Sequence, residues 1–413
     1  MRASHRLCAG VLAVLLLGSP SAFADAGPGA TEELRSLRRS VEALQKTLEA
    51  QQRLIEQQQA QLDALQRQAA APPAPAPRQG PTPSSGIGQI GAILPEIGVL
   101  TDIVATASEN KADTEGNNRV AVREVELVLG NYVDPYSRYD ATIAFSDFEA
   151  VSLEEAYLTR WGLPWEWKAR FGRFAPRVGK APSIHRDSLD SVDEPMVVAR
   201  YFGVEGYKRA GLDLTRPFEG PWGTVLEPSV GILEGGVGED GTLFGSTRLR
   251  PTVYSHLKTF KELSDASSVE LGLTHLAGSK DDDATWEVNA FGVDATYLNA
   301  LTPTTKLKLQ SELYVQNREE AFDRHPWGAY VLTDYRFAPR WSVGARADHV
   351  RLVDTITARH ADQALSAWLT FYQSEFARWR LQYRHMERAS EKTEDAVFLQ
   401  GTFALGTHKH AIQ

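Results

Sequence analysis

Cysteine is nearly absent: the 413-residue chain carries one, Cys8. It lies within an opening segment that reads as a targeting signal. The processed chain would hold no thiol, which excludes disulfides and thiolate chemistry. Long hydrophobic runs are missing too. None reaches the ~20 residues a spanning helix needs, so crossing a membrane by helices is excluded. Also lacking are a Gly-x-Ser-x-Gly elbow, a phosphate-binding loop and a dinucleotide fingerprint. The ten histidines are scattered, without a helical His-x-x-x-His pair. His408-Lys409-His410 offers only two metal ligands beside a terminus. No catalytic set, cofactor or metal site is therefore expected. Excess positive charge is lacking as well: the net charge is −9, which argues against nucleic acid as a partner. The carboxylate pair Glu154-Glu155 sits in a strand-like stretch, where neighbouring side chains point to opposite faces. The two are expected not to act together.

What is present begins with three N-terminal segments. Residues 1–24 combine Arg2 and Arg6, an apolar core at Leu7–Leu17 and a small-x-small site at Ala22-Phe23-Ala24, the pattern of a cleaved signal peptide. Cys8 lies at the start of that core, whereas a lipid-anchored cysteine would follow it. Residues 31–67 carry a heptad seam: Leu34, Val41, Leu48, Ile55 and Leu62 at one position, Leu37, Leu44, Gln51, Gln58 and Leu65 at the other. That a/d spacing predicts a coiled-coil helix, a rod of roughly 48 Å, that needs partner copies to be stable. The two glutamines on the seam would fix register. Residues 69–86 are Pro/Ala-rich and predict a semi-rigid, extended linker.

From 96 to 406 short segments alternate apolar with polar. Lys306 to Gln316 is the clearest, and Arg138 to Phe145, Arg378 to Arg384 and Ala396 to Leu405 repeat the pattern. Period two means strands with two uniform faces. Connections alternate short and long, and aromatics crowd the short ones: Tyr132, Tyr136 and Tyr139; Trp161, Trp165 and Trp167; Tyr335, Phe337 and Trp341. Both features belong to an outer-membrane barrel, with its short periplasmic turns and aromatic girdle. The fold class expected is an all-β transmembrane barrel of about sixteen antiparallel strands, preceded by the N-terminal coiled-coil helix. Its apolar face meets outer-membrane lipid and its polar face lines water.

One connection stands apart. Residues 174–206 run without strand alternation or a sustained helical period and are dense in charge. A structureless run of this length is usually functional or disordered. It is expected to fold into the barrel mouth as a constriction, with Arg177, Lys180, His185, Arg186, Asp187 and Arg200 setting its field. Arg378, Arg380 and Arg384, with Lys306, Lys308 and Arg170, fall on polar faces and make a candidate lumen strip that attracts anions. The alternative, solvated charges with no selective effect, stays open.

Several stretches carry a family resemblance: Arg123-Glu124-Val125-Glu126-Leu127, the turn Val133-Asp134-Pro135-Tyr136, Leu153 to Leu158, and Phe171-Gly172-Arg173-Phe174. With the order signal, heptad helix, linker and barrel, the chain resembles the phosphate-selective porin O and P family. The resemblance implies a homotrimer, a third outer loop folded inward, and anion preference from lysine and arginine ladders. The expected function is passive diffusion of small hydrophilic solutes or ions, phosphate and other anions among them. The outer membrane of a Gram-negative bacterium is the expected location, with the coiled coil in the periplasm joining three barrels or contacting the cell wall. Two rivals remain: a structural tether with a closed barrel, and an uptake receptor for a metal or chelate. The second lacks a plug-sized domain, because the residues ahead of the strands are rod and linker.

Overall fold

In the strand region the alternation of apolar and polar residues resolves into one sheet that closes on itself. The computed structural model describes residues 95–406, apart from 110–116, 148–150, 239, 282, 284, 321–323, 352–360 and 389–392. The expected signal peptide, the heptad seam and the linker lie outside the described residues. The strands, in order, are β1 Glu96–Ser108, β2 Val120–Asp134, β3 Ser137–Phe145, β4 Ser152–Arg160, β5 Lys168–Phe174 and β6 Arg209–Thr215. There follow β7 Val225–Leu233, β8 Thr252–Ser264, β9 Ser267–Ser279, β10 Glu287–Ala300 and β11 Lys306–Arg318. The last five are β12 Trp327–Ala338, β13 Trp341–Arg351, β14 Ala361–Ser374, β15 Ala377–Glu387 and β16 Glu394–Gly406. Phe218–Glu219 pairs with β7 as β6 does, so it continues β6 after a break at Pro217, which has no N–H to offer the ladder.

Neighbours pair antiparallel throughout, and β1 pairs with both β2 and β16. The result is a closed sixteen-stranded barrel with no free edge. Its outer face is apolar: Leu271, Leu273, Phe291, Val293, Val331 and Leu365 are exposed. The buried face carries Asp213, Asp294, Glu312, Arg346, Arg378 and Arg380. That inversion of the soluble pattern answers which face meets lipid.

Four connections at one end are two-residue turns, at 135–136, 265–266, 339–340 and 375–376, each with a register shift beside it. Two others hold Trp165 and Trp222, 78% and 83% exposed, in matching Pro-Trp turns. Long connections leave the opposite end. The 174–206 segment is not structureless: it contains short 3₁₀ turns at Ala181–Ser183 and Arg186–Ser188 and one helix, α1, Met196–Tyr201. Six residues are too few to show a helical period in sequence.

Candidate functional site

The segment after β5 has no strand to pair with, so its backbone groups must find other partners. They find inward-facing side chains around the wall. Glu155 on β4 accepts from Ala175 N at 2.9 Å. Glu312 on β11 accepts from Ala181 N at 2.6 Å, Lys180 N at 3.2 Å and the Tyr330 and Tyr314 hydroxyls. Gln382 on β15 accepts from Val192 N at 2.7 Å, and Asp348 on β13 from Met196 N at 2.9 Å. Arg346 donates to the Asp193 carbonyl at 2.8 Å, and Arg378 to that of Asp187. Gly179 sits at φ +80° with Tyr314 and Glu312 so close that a Cβ would clash. Gly328 likewise lets Val197 of α1 approach β12. Apolar side chains complete the attachment: Val178, Val197, Val198, Tyr201 and Phe202 join Tyr254, Tyr314, Tyr330 and Trp368 of the wall in one buried cluster. Leu243 and Phe244, from the connection after β7, belong to it too.

Each of the expected loop charges has a partner. Arg177 bonds Asp213 (3.2 Å) and Thr215 (2.8 Å), and Lys180 pairs with Glu270 at 2.7 Å. Arg186 donates to the Val204 carbonyl at 3.0 Å, and Arg200 pairs with Asp362 at 3.1 Å. Asp187 takes the Ser188 hydroxyl on one oxygen.

The expected lumen strip is split into separate pairs. Arg170 is held by Asp213 at 2.5 Å and lies over the Phe174 ring, Lys308 by Asp190 at 2.6 Å, and Arg384 by Asp193 and Glu394. Lys306 is exposed near the short turns. Arg378 and Arg380 are buried on one face of β15; their bonds go to the Asp187 carbonyl and Thr402, and to Thr370 and Gln400. Arg346 and Asp193 are the partners that sequence reasoning missed as a unit. Arg346 binds Asp193 at 3.0 Å and Asp348 at 2.7 Å. The Arg346 and Arg384 guanidinium groups hold Asp193 well below the carboxylate range, although burial alone would raise it.

Two hollows flank the segment. A cavity of about 350 Å³ toward the long connections is lined by Arg123, Arg186, Arg200, Arg346, Arg384 and Arg388, against Asp193, Glu194, Asp240 and Asp348. One of about 770 Å³ toward the short turns is lined by Lys306, Lys308 and Arg336 with Asp190, Glu262, Asp265 and Asp334. Asp190 borders the second and Val192 and Asp193 the first, so the stretch 190–193 lies between them.

One expectation is overturned. Glu154 and Glu155 both face inward and both are buried. The register of β3 on β4 shifts between Thr142 and Ile143, which inserts one residue and turns two consecutive side chains to the same face. A second shift, between Asp102 and Ile103, puts Arg123 beside Glu124 and Glu126 on β2. Into this acidic wall projects His185, 4% exposed. Its Nδ1 lies 3.2 Å from both Glu126 Oε1 and Glu154 Oε2, and its Nε2 3.3 Å from Glu155 Oε2. Lys208 Nζ holds the other Glu154 oxygen at 2.6 Å. Burial alone would lower the His185 pKa, but the Glu126 charge and the three carboxylate contacts hold it well above the ordinary value. Ligand atoms of Glu126, His185 and Asp187 fall within 4.8 Å of one another, as do those of Glu124, Glu126 and Glu154. The Arg-Glu-Val-Glu alternation could have placed Glu124 and Glu126 on one face; nothing local announced the bulge.

No known family profile matches the chain. An uncharacterized protein of Aquifex aeolicus (strain VF5) is 26% identical over 380 residues, covering 77% of this chain and 79% of its own. Among solved structures the chain is similar to a loop-deletion mutant of OmpT, an outer membrane protein of Vibrio cholerae, with a TM-score of 0.52 at 10% identity over 76% of this chain and 99% of that one. The outer membrane channel DcaP of Acinetobacter baumannii gives 0.51 at 12% identity, covering 76% and 96%. The anion-selective porin of Comamonas acidovorans gives 0.50 at 8%, covering 75% and 98%. At these identities the likeness is one of fold, and the fold is that of a porin-like barrel.

Proposed function

We propose that the chain is an outer-membrane channel for passive diffusion of small hydrophilic solutes, with the 174–206 segment as its constriction and no catalytic step. The observation that carries this reading is the closed barrel with an apolar exterior and a charged interior, hollowed on both sides of residues 190–193. A solute passing between the hollows would cross that stretch. The six arginines around the outer hollow favour small anions, phosphate among them, in line with the resemblance to phosphate-selective porins. Arg177, Lys180, Arg186, Arg200 and Arg378 act in this reading chiefly by holding the segment in place, and Arg346 and Arg384 by lining the outer hollow.

Residues 1–24 would deliver the chain to the periplasm. Residues 31–67 would join three copies there or contact the cell wall, and deletion of 31–67 should reduce the oligomer mass while leaving the barrel folded. One observation favours a second reading, a tether with a closed barrel: the aromatic cluster of Phe202, Tyr207, Tyr254 and Tyr314 fills part of the lumen. Swelling of liposomes in isosmotic small solutes separates the two, since a diffusion channel swells them and a closed tether does not.

A further inference from the structure

The acidic pocket around His185 is unlike the other charge pairs of the lumen. Those pair one guanidinium or ammonium with one or two carboxylates. Here Glu124, Glu126, Glu154, Glu155 and Asp187 are all buried around a single imidazole. The nearby permanent cations are Lys208, which holds Glu154, and Arg186, which acts on Glu124. Arg123 is turned to Asp102 and the Val192 carbonyl. Five carboxylates against two such cations and one imidazole leave the pocket rich in buried acidic groups. Burying charge without compensation is costly, so an excess of buried carboxylates is met either by protons or by a bound cation.

The geometry points to a metal ion. We propose that Glu126, His185 and Asp187 bind one divalent transition-metal cation that ties the 174–206 segment to the barrel wall.

Three observations carry this. First, ligand atoms of Glu126, His185 and Asp187 all lie within 4.8 Å of one another, and the 3.2 Å from His185 Nδ1 to Glu126 Oε1 matches the ~3.0–3.4 Å edge of a coordination shell with bonds of about 2.1 Å. Second, Nε2 on the far side of the ring faces Glu155 Oε2 at 3.3 Å. A metal-binding imidazole almost always donates its other N–H to a carboxylate in this way, which fixes the tautomer. Third, Asp187 is 2% exposed and its Oδ1 has no hydrogen-bond partner. A buried orphan carboxylate oxygen needs an explanation, and a cation supplies one. The imidazole selects the metal class: calcium and magnesium take oxygen ligands, whereas one nitrogen with carboxylates suits zinc, manganese, iron or cobalt. Two ligands lie on the segment and one on β2, so binding would join the parts.

The test uses the full chain in detergent micelles, stripped with chelator and dialysed against Co²⁺ or Zn²⁺. The expected result is about one ion per chain, with Co²⁺ absorption bands showing nitrogen and oxygen ligation. His185→Ala and Asp187→Asn should abolish tight uptake, and Glu155→Gln should weaken it roughly 10–100-fold as an outer-shell partner. His408→Ala with His410→Ala should leave uptake intact. Heat-modifiable mobility on gels verifies that each variant is a folded barrel, and Glu155→Gln remains informative should His185→Ala fail to fold. No stoichiometric uptake by the folded wild-type chain would overturn the proposal and assign protons to the pocket. Uptake that survives the His185 and Asp187 changes would overturn it too, by placing the ion elsewhere. Neither outcome depends on conduction.

Discussion

Glu154 and Glu155, consecutive in the chain, contact the same imidazole from its two nitrogens, at 3.2 and 3.3 Å from His185. A regular strand cannot do this; the bulge opposite Thr142 and Ile143 makes it possible. His185→Ala should therefore leave buried carboxylates uncompensated, at a cost on the order of 3–5 kcal/mol. The barrel hydrogen bonds do not involve His185, so that cost falls on the attachment of the segment. The expected outcome is new protease cleavage within 174–206 with barrel mobility on gels unchanged. Cleavage identical to wild type would contradict it.

Glu194 gives a pH dependence. Burial raises it from 4.5 to about 8, against the lowering effects of Arg186, Lys208 and Arg123 and with the raising effect of Glu205. A raised pKa means the fold favours the neutral carboxyl. Its contribution is fully present below about 4.5 and is lost as the pH rises through 8. Protection of the segment should fall around pH 8 in the wild type, and Glu194→Gln should flatten that part of the profile. Hydrogen exchange across the pH range reads both.

Val331 lies mid-strand on β12 and is 62% exposed on the outer face. Val331→Arg should cost ~2–4 kcal/mol near the membrane midplane, whereas Val331→Leu should be close to neutral. Urea titration of folding into lipid vesicles measures the difference. Equal stability of the two variants would mean that this face does not meet lipid.

Arg346 grips the Asp193 carboxylate and carbonyl and also Asp348. Arg346→Met should loosen the 190–193 stretch and remove a positive charge from the outer hollow. Adding Asp348→Asn should recover part of the lost protection, because Asp348 loses its guanidinium partner whereas Asp193 keeps Arg384. Protease protection of the single and double variants checks this coupling.

Much of the barrel was legible because period-two alternation and turn chemistry are local signals. The alternating stretch Lys306 to Gln316 lies within Lys306–Arg318, and Arg378 to Arg384 within Ala377–Glu387. The lumen charges were legible one strand at a time: Arg378 and Arg380 do face inward. Their partners were not, because Asp187, Asp190 and Asp193 reach them from a segment whose path is set by bonds to strands 100 or more residues away, such as Lys180 to Glu312 and Met196 to Asp348. The assumption of strict alternation also hid the pocket at Glu154 and Glu155, since a bulge depends on how two strands pair.

The most direct measurement is single-channel conductance of the purified protein in planar bilayers, with the reversal potential taken under a salt gradient. The account predicts stepwise openings and an anion-selective reversal potential that moves toward zero or beyond when Arg346 and Arg384 are neutralised. Silence from folded, inserted protein would contradict it and establish a closed barrel.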